Sequence, residues 1–482
     1  MKRWTIVAAC VLAVSACADR AQPLASLSEP LERSDLLSGL GAALDPVLAG
    51  QLRLARSSDR IELIVTLDEL LTSSPLLGTA VRRLGAGVVT FRHLPMIAVV
   101  ATPAQVSAIR LLPGVRGLYA NRKLHYLLAE SNRTIAADQA WAAGYTGKGV
   151  GIAILDSGVD GLYSPGLQYP SKTIANVKIA ADLKDLLGLG EGIAVDALIV
   201  ENVPNSETST GHGTHVAGIA AGSGGGSTGG IYRGVAPDAN IIGIGAGDAL
   251  FVLWTLAGFD YILEHHQQYN IQVVNNSWGS TGPYDPNDPI NVATRKLHDA
   301  GVTVVFAAGN EGPGENTLNP YSAAPWVISV AAGCKTVTPD PTGSAANCND
   351  GRAALLADFS SRGVPGDPLL HPDVTAPGVN IVSTRAALGA VMNGLDLPSD
   401  AQTCNIQVQH FPFYTCASGT SMASPHIAGV VALMEEASGG TLTPDQALAA
   451  LTATARPMPG YADWEVGAGY VDAFAAAQAV RP

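Results

Sequence analysis

"GVGIAILDSGVDG", residues 149–161, decides the fold class. Residues 150–155 are apolar or glycine without a break, so a strand here is covered on both faces, as in the parallel sheets of α/β proteins. The run stops at Asp156 and turns at Ser157-Gly158. A carboxylate at the C-terminal edge of such a strand stands where open α/β sheets place their sites. The same texture returns in "ANIIGIGAG" (239–247), "IQVVNNSWGS" (271–280), "GVTVVFAAGN" (301–310) and "WVISVAAG" (326–333). Residues 249–268 and 290–300, between them, read as helices. This alternation, over about 340 residues, predicts α/β architecture: a parallel sheet with helices on both faces. Residues 161–207 and 388–415 have little periodicity and read as long surface insertions.

Composition agrees with a large packed protein. Of 482 residues, 47% are hydrophobic and only 14% charged. A net charge of −13 argues against a general affinity for nucleic acid. The opening "MKRWTIVAACVLAVSACADR" has a basic start and a short apolar stretch, the pattern of a bacterial export signal. It ends in "VSAC", which resembles a lipoprotein box with Cys17 as the acylated residue. Export from the cytoplasm to the cell envelope is therefore expected, with Cys17 anchoring the precursor to a membrane. Outside the signal the cysteines are Cys334, Cys348, Cys404 and Cys416, an even number for an oxidising compartment. Their spacings suit neither a zinc ribbon nor a redox pair, and nearest-neighbour disulfides (Cys334–Cys348, Cys404–Cys416) are expected.

Ahead of the α/β region, residues 60–125 read strand–helix–strand–strand–helix–strand, the order of a small ferredoxin-like α+β unit. "TPAQVSAIRLLPG" is its second helix, with a Thr N-cap and Pro at the first helical position. Residues 18–58 read as a tether containing some helix.

Three further stretches carry chemistry. "CASGTSMASPHIAGV" (416–430) sets Ser421 among small residues at the mouth of a helix. A serine nucleophile needs a base, the base needs an orienting carboxylate, and the resulting oxyanion needs donors. "STGHGTHVAGIAAG" (209–222) exposes His212 between glycines at another helix start, while His215 faces the packed turn and reads as structural. "AAGNEGPG" (307–314) places the Asn310 amide just beyond a buried strand. Taken singly, each residue is also an ordinary strand end, cap or turn.

Together, "ILDSGVD", "GHGTHVAG", "AAGNEGP" and "GTSMASPH", in that order, resemble the subtilisin-like serine proteases, or subtilases. The resemblance runs from about residue 133 to the C-terminus. It implies that Asp156 orients the imidazole, His212 is general base and acid, and Ser421 is the nucleophile. Asn310 and the Ser421 N–H would hold the oxyanion. It further implies a division into a signal (1–17), a tether (18–58), an inhibitory propeptide domain (59–130) and a peptidase domain (131–482). Self-cleavage is expected within 124–132, which would separate the mature enzyme from its lipid anchor.

An extended peptide substrate would pair with exposed backbone. The resemblance assigns Ser277, Trp278 and Gly279 to one rail and wall of the pocket for the residue before the scissile bond. Ala307, Ala308 and Gly309 form the other wall, with Asn319 near the base. Small uncharged walls favour a large apolar or neutral side chain. Cleavage at paired basic residues is not expected, since only 61 residues follow Ser421, too few for the extra domain of the dibasic-cleaving branch. After "DSGVD" many relatives have His-Pro, whereas here "GLYSPG" opens the first insertion. No cofactor is expected for catalysis and no metal ligand is assigned. Structural calcium is an open alternative at Asp285, Asn287 and Asp288 or within 182–201. A monomer is expected. An acid peptidase of the sedolisin type would need Glu at 212 and Asp at 310; an α/β-hydrolase would need G-x-S-x-G and the order Ser, acid, His. The remaining rival is an inactive binding protein on the same scaffold.

Overall fold

The computed structural model describes residues 41–67, 75–90, 96–120, 128–179, 199–225, 228–246, 252–335, 355–387, 392, 404 and 406–482. The chain divides into two compact units, Met1–Lys123 and Leu124–Pro482. The export signal and Cys17 lie outside the described residues, as do 121–127, where the expected cleavage region begins.

The first unit contains β1 (Ala43–Leu44), α1 (Pro46–Leu54), β2 (Ile61–Leu67), α2 (Pro75–Arg83), β3 (Gly87–Thr90), β4 (Met96–Ala101), α3 (Pro103–Ile109) and β5 (Val115–Ala120). Its sheet order is β1-β5-β2-β4-β3, antiparallel except for the β1–β5 pair. Without β1, this is the strand order of the split βαβ fold expected from the sequence. Thr102 caps α3 through a reciprocal box with Gln105. The expected tether ends earlier than residue 58. Ala43–Leu44 extends the sheet beside Gly117–Leu118, Asp45 caps α1, and Leu48 is fully buried in the unit's core. Some helix is expected in this segment, and α1 is helix within it, whereas the two-residue β1 is too short for a periodicity reading.

The second unit opens with α4 (Leu128–Thr134) and α5 (Ala137–Ala142) and is built on an eight-stranded sheet. Its strands are β6 (Gly151–Asp156), β7 (Thr173–Ile179), β8 (Ile199–Val200), β9 (Asn240–Gly245), β10 (Ile271–Asn276), β11 (Thr303–Ala307), β12 (Val327–Gly333) and β13 (Val374–Pro377). The order is β13-β12-β11-β10-β6-β9-β7-β8, parallel throughout except for β7–β8. Alternate side chains of each strand serve opposite faces. Ile152 and Ile154 join one core with helices α6 (His212–Ala221) and α9 (Thr420–Ser438). Ala153 and Leu155 join the other, with α7 (Val252–His265) and α8 (Pro289–Asp299). The result is a three-layer α/β fold. A two-stranded antiparallel ribbon, β14 (Ile381–Thr384) with β15 (Tyr414–Ala417), leads into α9.

The 161–207 segment corrects the sequence reading: it is not all surface insertion, because β7 is a largely buried strand of the main sheet. Its polar residues disguised it. Asn176 is fully buried, yet its Nδ2 donates to the Val159 carbonyl at 3.0 Å and its Oδ1 accepts from Ser206 Oγ at 2.6 Å. A satisfied amide is tolerated inside a strand where an unpaired one is not.

Candidate active site

The sheet reverses its winding between β6 and β10. The C-terminal ends of β6, β10 and β11 therefore open onto the crevice where doubly wound sheets bind ligands. Asp156 closes β6 and is fully buried. Its Oδ1 lies 2.7 Å from His212 Nδ1 and also accepts the Ser157 N–H at 2.7 Å. His212 opens α6, and its side chain retains 18% exposure. This close approach needs glycine, since a Cβ on Gly213 would stand 2.3 Å from the Gly158 carbonyl oxygen. Burial pulls the imidazole towards the neutral form. The Asp156 charge and hydrogen bond, with the Glu207 charge, outweigh it and raise the pKa above the ordinary 6.5. His215 is fully buried, its Nε2 lies 3.2 Å from the Thr415 carbonyl, and burial holds it neutral with a pKa of about 3.

Ser421 stands in the first turn of α9, where backbone N–H groups have no helical partner. Its hydroxyl donates to the Ser277 carbonyl at 3.0 Å rather than to His212. A second bond ties the same two residues, Ser277 Oγ donating to the Ser421 carbonyl at 2.8 Å. Pro425 explains it. Proline at i+4 has no N–H, so the Ser421 carbonyl lacks its helical donor and takes a side chain instead. Behind this contact Asn275 donates to Ser277 Oγ at 2.9 Å and accepts from Ser424 Oγ at 2.7 Å.

Asn310 lies just past β11. Its Oδ1 accepts from both the N–H and the hydroxyl of Thr420, at 2.9 and 2.8 Å. Those donors fix the amide's orientation, so the Nδ2 donors face away from Thr420. Gly419 has φ +156°, rarely adopted by residues with a side chain, and a Cβ there would come within 3.5 Å of Asn310 Nδ2. The Asp–His pair, the helix mouth and the amide are thus held by three strand ends and two helix N-termini.

The family model for the subtilase family matches residues 147–470, about two thirds of the chain. The chain belongs to the subtilase family of serine proteases. This subtilase is 31% identical to the serine protease AprX of Bacillus subtilis over 346 residues, covering 69% of this chain and 67% of that one. It is 29% identical to the extracellular basic protease of Dichelobacter nodosus, covering 74% of this chain and 54% of that protein. Among solved structures, sphericase superposes with a TM-score of 0.50 at 25% identity, covering 68% of this chain and 92% of its own.

The subtilase's expected pocket walls are brought together by Asn319, whose Nδ2 donates to both the Trp278 and Ala307 carbonyls at 3.0 Å. Ala307 and Ala308 are buried, while Gly309 is half-buried and Gly279 exposed. Trp278 turns its side chain inward. Its indole donates to the Leu155 carbonyl at 2.8 Å and packs edge-on against Phe306 and Tyr321. Cys404 and Cys416 are joined, with Cα atoms 6.2 Å apart. Cys334 is also disulfide-bonded, and Cys348 lies outside the described residues. At the first calcium alternative, Asp285 Oδ1 accepts from the Asn287 backbone and side chain, and Asp288 caps α8. Residues 182–198 of the second lie outside the described residues. Among the described residues no group of three or more His, Cys, Asp and Glu is poised to hold a metal ion.

One buried acid near the site escaped the sequence reading. Glu207 is 1% exposed and bonded to Ser157. It precedes His212 by five residues in a stretch without periodicity, so nothing but its charge marked it.

Proposed function

We propose that this subtilase is an exported serine endopeptidase in which Asp156, His212 and Ser421 act as a triad. The observation that carries the reading is the 2.7 Å contact between a fully buried carboxylate and a partly exposed imidazole. Such a carboxylate fixes the Nδ1–H tautomer and leaves Nε2 as the base. As the Ser421 oxygen bonds to the substrate carbonyl carbon, its proton passes to His212 Nε2. The electron pair released onto the carbonyl oxygen is met by Asn310 Nδ2 and the Ser421 N–H. His212 then returns the proton to the leaving amine, and water repeats the sequence on the acyl-enzyme. The hydroxyl must first rotate off the Ser277 carbonyl, a change expected on substrate binding.

The substrate is an extended peptide with a large apolar or neutral side chain before the scissile bond. The first unit serves as a propeptide and intramolecular inhibitor, removed by self-cleavage within 124–132. Cys17 anchors the precursor, and cleavage releases the catalytic unit. Export is supported by the amino-terminal pattern and by the relatives named as extracellular proteases.

Fractionating cells that express the parent and Ser421→Ala, then sequencing each N-terminus, tests this. The parent should yield a soluble chain beginning near residues 125–132, and Ser421→Ala a membrane-bound chain beginning at Cys17. An active, membrane-bound parent still beginning at Cys17 contradicts release.

A further inference from the structure

Behind the Asp156–His212 pair sits the second carboxylate, Glu207. Burying an acid is costly unless its oxygens are satisfied, and Glu207 spends its bonds on two routes to the pair. Its Oε2 accepts from Ser157 Oγ at 2.6 Å. Ser157 reaches both partners: its N–H donates to Asp156 Oδ1 at 2.7 Å, and its Oγ accepts the Gly213 N–H, next to His212, at 2.9 Å. The other oxygen, Oε1, accepts the N–H groups of Ser209 and Thr210 at 3.1 and 3.2 Å. Thr210 Oγ1 in turn accepts the His212 N–H at 3.2 Å. One carboxylate therefore ends a hydrogen-bonded chain to the acid and another to the base.

We infer that Glu207, acting through Ser157, is a positioning residue that holds Asp156 and His212 in register and places a second negative charge behind the imidazole. This inference rests on the triad reading above. Loop closure alone would need only the bonds to Ser209 and Thr210. The bond to Ser157 joins that loop to the end of β6.

The charges around His212 come from several elements. Asp156 and Glu207 are negative, and both raise its basicity. His215, one turn along α6, is neutral. Lys178 of β7 brings a cation, its Nζ 2.9 Å from Thr208 Oγ1 and 3.5 Å from the Ser157 carbonyl. Arg385 lies on the His215 side. Removing the Glu207 charge should therefore make His212 easier to deprotonate.

The test starts from Glu207→Gln in the full chain. The amide can accept from Ser209 and Thr210 through Oε1 and donate to Ser157 Oγ, so shape survives while charge is lost. With Ser421→Ala present to prevent self-cleavage, nitrogen-15 NMR of labelled histidines reads the His212 titration directly. Its pKa should fall by about half a unit or more. With Ser421 intact, the acid limb of kcat/KM should move the same way, and kcat should fall with KM unchanged. Glu207→Asp keeps the charge and should restore the position of the limb. An unmoved His212 titration in folded Glu207→Gln overturns the inference, whatever the rate does. Should Glu207→Gln not fold, Ser157→Ala cuts the chain from the other side without altering charge. It should lower kcat about tenfold at constant KM, and a parent-like kcat there also overturns the inference. Loss of hydrolysis in the parent itself would instead undo the triad reading, and the NMR titration would still report on Glu207.

Discussion

Replacing Glu435 with Gln should stabilise the subtilase at alkaline pH and not at acid pH. Glu435 lies on α9 and is fully buried, and the backbone of Leu442 offers the hydrogen bond that partly offsets the burial of its carboxylate. Burial pushes its pKa from 4.5 to about 7. Between these values the folded chain keeps a proton that the unfolded chain has lost, so unfolding releases a proton and rising pH favours it. The penalty is absent below about 4.5, grows up to about 7, and is complete above that. A shift of this size corresponds to about 3 kcal/mol at 1.36 kcal/mol per unit. For a unit of about 360 residues the entropy of unfolding is near 0.75 kcal/mol/K, so the penalty is worth about 4 °C in Tm. A buried Gln amide has its own unpaired groups, whose cost does not depend on pH. The quantity to measure is therefore the difference in Tm between Glu435→Gln and its parent at pH 9, minus that difference at pH 4. Both chains carry Ser421→Ala to prevent autolysis. A value near +4 °C is expected, and a value within about 1 °C of zero refutes the reasoning.

Three further outcomes follow from the site and its surroundings. Asn310→Ala should lower kcat about 100- to 1,000-fold with KM nearly unchanged, a size carried over from this donor in a subtilisin rather than obtained from the present geometry; a raised KM with intact kcat would contradict its oxyanion role. Gly419→Ala should fold but lose turnover, because its Cβ enters the space beside Asn310 Nδ2 on a backbone that disfavours it; steady-state kinetics beside a parent-like melt would establish this. Cys404→Ser with Cys416→Ser opens a loop of sequence separation 12 and should cost about 3 kcal/mol, again near 4 °C, seen by calorimetry.

What the sequence disclosed depended on how polar groups are satisfied. β6, β9, β10, β11 and β12 were legible because strands covered on both faces need near-continuous apolar residues. β7 was not, since the partners that make buried Asn176 acceptable are Val159 and Ser206, remote in sequence. Asp156, His212, Asn310 and Ser421 stood out through the small residues that clear space around them. Glu207 did not, because an acid in an irregular stretch looks solvated until Ser157 is seen to cover it. The resemblance assigns Trp278 to a rail and wall of the pocket but leaves the direction of its indole illegible. The acceptor that turns its indole inward, the Leu155 carbonyl, lies 123 residues away.

That Ser421 is the nucleophile is tested most directly by a fluorophosphonate probe on the processed chain, followed by peptide mapping. The expected result is a single modified residue, Ser421, with labelling abolished by His212→Ala. A folded, propeptide-free chain that hydrolyses peptides yet stays unlabelled at Ser421, or is labelled elsewhere, would contradict it.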